Sequence, residues 1–368
     1  MAEDLSLSTA GAPAPQTPSG RARLRLTRRL ADIVCLPETR VSPQERWMTA
    51  DVLEELLHNA DPGLRAKVAD RLADQGEAPA GLLRRLALDE FQVAEPILRR
   101  SSALTDFDMM EIARKAGANH QMALARRETV SETVAAALAS SAGPDVLAVL
   151  LRNKGARLAP QTSDFLVREL RDHESLAELL IKRPELRPAQ AFALFWSVSH
   201  PLRRQILERF SVSRAILQDA AADVFPLAAR EAAPDRDVAD ALGYIDRRQR
   251  DRAAAERSVY GTLERALEDY ARRPGDFEVQ AEIAALAGIR GDLAERLLAD
   301  MGGEPVAVLA KATGLPRAHL ELVAGAPGDA PAQARGRQAH LVYDTLSVDK
   351  AQTVLRYWNW VFERGRAD

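Results

Sequence analysis

From Arg21 onward, apolar residues recur at spacings of three and four, as in Val52, Leu53, Leu56 and Leu57. That is the periodicity of one face of an α-helix. Alternating runs of β-branched residues, which announce strands, do not occur. The pattern predicts helices over nearly the whole chain. Start signals sharpen it. Ser42-Pro43-Gln44-Glu45 has the form of a capping box with proline at the first helical position. Ser42 can accept a backbone N–H, Pro43 has no N–H to leave unpaired, and Glu45 can reach back. Thr105 with Asp108 is a second such start. A cap of this kind contributes about 1 kcal/mol.

The helices also repeat. Apolar helices close on the pairs Arg99–Arg100, Arg126–Arg127, Arg152–Asn153 and Lys182–Arg183. The second members step through 100, 127, 153 and 183, a near-constant interval, and Arg71 precedes Arg100 by much the same distance. A period of this size fits two short helices and two turns. One such pair cannot bury its apolar face alone, so neighbours must stack, which is the logic of an α-solenoid. The expected class is therefore all-α: a solenoid of short helix pairs followed by a smaller helical C-terminal region. Residues 1–20, small and polar, form an expected disordered tail. The repeat domain then spans 21–228, a charged helical linker 229–258, and the C-terminal domain 259–368. Within that last part Gly288 and Gly314 are separated by almost the same interval, 325–337 reads as a flexible loop, and the closing helix runs from about Ser347 to Arg364. Val354, Leu355, Trp358, Val361 and Phe362 are expected on its apolar face.

The stretch Val93 to Asp108 (VAEPILRRSSALTDFD), then His120 to Arg127 (HQMALARR), resembles an uncharacterised bacterial domain family with HEAT-like helical repeats. The later unit from Ala310 to Leu315 and the closing segment Ala351 to Trp358 are similar to the C-terminal part of that family. The resemblance covers nearly the whole chain after residue 21. It implies an α-solenoid and carries over no catalytic residues. Pro96 early in a helix is a further HEAT-like trait; it removes a hydrogen bond and bends the helix.

Composition narrows the function classes. The chain has 50 Lys+Arg against 53 Asp+Glu, a formal charge of -3 over 368 residues. Nucleic-acid binding would need a local basic patch, since the excess that usually marks it is missing. The lone Cys35 excludes an internal disulfide and a cysteine-rich zinc site. No apolar run approaches a membrane span, the first residues lack the basic start and apolar stretch of a secretory signal, and the expected compartment is the cytoplasm. The six histidines show no i, i+4 metal pair, and neither a Gly-rich phosphate loop nor a nucleophile elbow is present. No catalytic constellation, metal or cofactor is expected, and the chain reads as a non-enzyme.

What remains is surface. Stacking would bring the paired positions into register, so Arg99, Arg100, Arg126, Arg127, Arg152, Asn153, Lys182 and Arg183 form a candidate edge for another protein, such as an acidic segment. The plain alternative is that each basic group offsets the negative end of its own helix. Trp360, if exposed, is a candidate contact. The alternative partner is nucleic acid. Pro305 to Val323 resembles a helix-turn-helix in which Arg317 and His319 would face bases, although Glu321 suits a phosphate-lined groove poorly. Arg21 to Arg29 could hold an anionic membrane surface or cap the first helix.

Overall fold

A computed structural model describes residues 18–37, 39–213, 250–324 and 330–364, with the single positions 215, 235 and 238. Among the described residues the chain is all helical, in an arrangement consistent with helical repeats. The tail expected over 1–20 lies, up to residue 17, outside the described residues, as does most of the charged stretch 229–258. Of that stretch, the structure places a short helix at Arg252–Arg257 with Ala254 buried.

Two compact units make up the chain: residues 1–166 with 182–185, and 167–181 with 186–368.

The first unit begins with α1 (Pro18–Val34), α2 (Pro43–His58) and α3 (Pro62–Leu72). It continues through α4 (Ala80–Ala87), α5 (Phe91–Arg100), α6 (Asp106–Lys115), α7 (Ala118–Ala125), α8 (Glu132–Ser141) and α9 (Pro144–Arg152). The starts follow the sequence signals. Ser42 and Glu45 close a reciprocal capping box, with Ser42 N–H donating to Glu45 Oε2 at 2.8 Å and Glu45 N–H to Ser42 Oγ at 3.3 Å. Thr105 and Asp108 do the same at α6. Asp61 caps α3 by accepting from Gly63 and Leu64.

Packing sorts these helices into two layers. α3 touches α5, α5 touches α7, and α7 touches α9; in the other layer α6 touches α8. α5 meets α3 and α7 on its sides and α4 beneath, and α9 meets α7 and α8, so both bury a wide face. Val93, Ala94, Ile97 and Leu98 are buried in α5, and Val146, Leu147, Leu150 and Leu151 in α9. Two adjacent positions per turn face inward, wider than the stripe of a surface helix. Pro96 lies in the interior of α5, the sixth of its ten residues, not early in the helix as expected.

Within the second unit, α10 (Pro160–Glu169) ends and α11 (Glu174–Ile181), α12 (Pro188–Leu194) and α13 (His200–Phe210) precede the C-terminal helices. Glu304–Thr313 is the central one: nine of its residues are buried, and it contacts helices Ala330–Thr345 and Val348–Arg364. Gly288 and Gly314 end their helices in the left-handed conformation, with φ of 62° and 71°. The loop expected over 325–337 is a helix from Ala330 onward, and only 325–329 fall outside the described residues. Its alanines, glutamines and arginines are good helix formers; Pro331 at the second position and Gly336 had obscured the pattern. Trp358 is buried, Val361 is exposed, and the Phe362 side chain lies outside the described residues.

Candidate partner-binding edge

A helix leaves its last four carbonyls without intrahelical partners. In the odd layer these carbonyls gather at one edge of the stack, and there the paired positions act. The second member of each pair reaches back one repeat. Arg127 donates from Nη1 to the Leu98 carbonyl at 2.7 Å and from Nη2 to the Ser101 carbonyl at 2.8 Å. Asn153 donates from Nδ2 to the carbonyls of Ala125 and Arg127, both at 2.8 Å. Arg183 donates to the carbonyls of Asn153 at 2.6 Å and Ala156 at 2.5 Å, and is also held by Glu185. Each group thus caps the C-terminus of the preceding repeat, where a cation is stabilised by the helix's partial negative charge. Burial lowers the Arg127 pKa, with Asp106 opposing.

Arg100 also reaches back, donating to the Asp70 carbonyl in α3 at 3.2 Å, and adds two carboxylates. It pairs with Asp74 at 3.0 Å and Asp70 at 2.8 Å, and these bonds raise its pKa. Arg71 pairs with Asp32, on α1.

The series continues one step beyond the expected residues. Arg209 lies one further interval past Arg183 and donates to the carbonyl of Ile181, the last residue of α11. Its neighbour Glu208 is acidic, so this step carries no basic pair. The other layer has its own version, with Ser141 donating to the Ala113 carbonyl at 3.1 Å.

The candidate edge therefore divides. Arg127, Asn153 and Arg183 are committed to backbone carbonyls, so they do not present an open ladder to a partner. The first members, Arg99, Arg126, Arg152 and Lys182, are exposed and preserve the same step. Arg99 stands 3.7 Å from Glu95 in an exposed pair. Among the described residues, Arg126 and Arg152 have neither ion pair nor hydrogen bond from their side chains. Beside Arg99 and Arg126 lies a groove of about 1160 Å³, which neither Arg152 nor Lys182 lines. Its lining includes five cations (Lys67, Arg99, Arg100, Arg126, Arg127) and three carboxylates (Asp70, Glu95, Glu128).

The remaining candidates are placed as follows. Trp360 is half-buried, its ring 5.8 Å from that of Tyr357. Arg317 pairs with Asp344 at 3.0 Å, and His319 is largely covered, 4.0 Å from Glu268. The preceding helix, Glu304–Thr313, is the buried centre of its unit. Neither Arg317 nor His319 stands as a free donor for a base edge. Among the described residues, no group of three or more His, Cys, Asp or Glu could hold a metal ion, and no helix is long and apolar enough to cross a membrane.

A family model described as an uncharacterised protein conserved in bacteria (DUF2336) matches residues 93–356. No curated protein and no solved structure matches the chain.

Proposed function

The chain belongs to that bacterial family, and from this premise we propose that it is a non-enzymatic adaptor whose HEAT-like repeats bind an acidic protein segment in the groove. The observation that carries the reading is the split within each basic pair. The second member holds repeats together, while the first stands exposed in step, and two of these, Arg99 and Arg126, line a groove with more cations than carboxylates. Arginine forks suit bidentate contact with carboxylates. Repeats in register would present them at regular intervals to an extended chain. A cytoplasmic setting belongs to the same reading, since the single cysteine gives no sign of an oxidising compartment.

The test is fluorescence anisotropy of a labelled peptide of alternating glutamate and leucine, with the full chain at rising salt. Binding should weaken with salt, and Arg99→Glu with Arg126→Glu, both exposed on the groove, should weaken it more than tenfold. Arg114→Glu, an exposed change in the other layer, should leave it unaltered. Equal affinity for wild type and the double variant would overturn the reading. Tighter binding of duplex DNA with a steep salt slope would replace it with nucleic-acid binding.

A further inference from the structure

A second concavity lies wholly within the second unit and encloses about 270 Å³. Four aromatic rings, Phe192, Trp196, Tyr357 and Trp358, are among its lining residues. They brace one another. Ring centroids are 5.5 Å apart for Phe192 and Tyr357, 5.1 Å for Trp196 and Trp358, and 6.3 Å for Phe192 and Trp358. The fully buried Phe195 packs against both tryptophans, at 5.3 and 5.0 Å. Phe192–Trp358 and Phe195–Trp196 meet edge-on, the other three pairs are tilted, and all lie within the range of favourable ring contact. The walls are therefore preformed, as small-molecule sites usually are.

Charge is the second observation. Arg171 and Arg296 also line the space. The Arg296 guanidinium carbon lies 4.4 Å from the centroid of the Trp196 ring, a cation–π contact that orients the fork. Burial pushes its pKa down and Asp300 pushes it back, while Arg171 and Arg203 lower it again by like charge. Asp300 is itself held by Arg203, at 2.8 and 3.0 Å. Arg171 is exposed and makes no hydrogen bond or ion pair among the described residues. An aromatic-walled space thus carries two arginines beside a third, with Asp300 close enough to act on both Arg203 and Arg296.

We propose that this pocket binds a small carboxylate bearing a single aromatic ring, the ring between the aromatic walls and the carboxylate on Arg171 and Arg296. The volume lies just below the usual range of about 300–1,000 Å³ for small-molecule sites, which suits one ring and a short arm. The planar carboxylate matches the guanidinium fork, and the ring exchanges water for aromatic faces.

The probe is 3-phenylpropionate, titrated into the full-length ¹⁵N-labelled chain while the tryptophan indole N–H resonances are followed. Trp196→Phe and Trp358→Phe assign two of the signals. The Trp196 and Trp358 resonances should move saturably, Arg171→Ala should weaken binding at least tenfold, and neutral 3-phenylpropanol should bind at least tenfold more weakly. Arg171 is exposed, so its variant keeps the fold and the test does not depend on Arg296. The proposal falls if neither resonance moves by about 10 mM probe. It also falls if the alcohol binds as well as the acid, or if Arg171→Ala changes nothing.

Discussion

The guanidinium of Arg127 spans one repeat to hold the carbonyl oxygen of Leu98 at 2.7 Å. Its immediate neighbour Arg126 is exposed and makes no such bond. Two identical side chains in sequence therefore do opposite things: one joins repeats, the other faces solvent.

Arg127→Ala should accordingly destabilise the protein by about 1–3 kcal/mol, because it takes a donor from the carbonyls of the buried residues Leu98 and Ser101. Arg126→Ala should stay within about 0.5 kcal/mol of wild type, as surface changes do. Urea unfolding of the two variants side by side checks the contrast. Equal effects would mean the bonds contribute nothing to repeat stacking.

Gly155 sits where two loops meet. Its carbonyl accepts from the Val130 N–H at 3.1 Å, and a Cβ built on it would lie 1.8 Å from the Glu128 carbonyl oxygen. Gly155→Ala must therefore push two backbone segments apart, at a cost of about 1–3 kcal/mol or more. Gly81, near the start of α4 and with nothing within 4 Å of its added Cβ, is the counter-case. Gly81→Ala should stabilise by about 0.4–1 kcal/mol by restricting the unfolded chain. Thermal unfolding midpoints moving in opposite directions are the expected result.

Glu304 is completely buried, between His200 Nδ1 at 2.6 Å and Arg203 Nη1 at 3.3 Å. Glu304→Ala should cost about 3–5 kcal/mol, since it strips a partner from a buried arginine. Arg203→Ala should be comparably harmful. The double variant should lose less than the two losses added, because the pair acts as a unit. Additive losses in a denaturation cycle would show that the two groups are not coupled.

Ser42 holds the Glu45 carboxyl below its ordinary pKa through side-chain and backbone hydrogen bonds. A group depressed in the folded state binds protons more readily when unfolded, so it stabilises the fold above the unfolded pKa. That contribution is lost as pH falls through the folded value. Glu45→Gln should thus lie below wild type in stability at neutral pH and converge with it in acid. A gap that stays constant down to low pH would remove the carboxylate from the capping account.

Much of this was legible in the chain itself, because caps, apolar periodicity and helix-closing pairs are short-range properties. Ser42 with Glu45 and Thr105 with Asp108 are as the residue order predicts. The period of the paired positions was legible too, and its extension to Arg209 needed only the same count carried one step further. The helix from Ala330 was missed because a proline and a glycine within it masked good helix formers. The aromatic pocket was not legible, since Trp196 and Trp358 lie far apart along the chain and only folding brings their rings to 5.1 Å.

By itself, then, the sequence determined that the chain is helical, where most helices start, and that equivalent positions return at a near-constant interval. Only the tertiary structure decided which member of each basic pair turns inward. Adjacent residues on a helix differ by about 100° in direction, and nothing local says which direction holds the neighbour's unpaired carbonyls. That depends on how the repeats stack, and it made Arg127 and Arg183 caps while leaving Arg126 and Arg152 exposed.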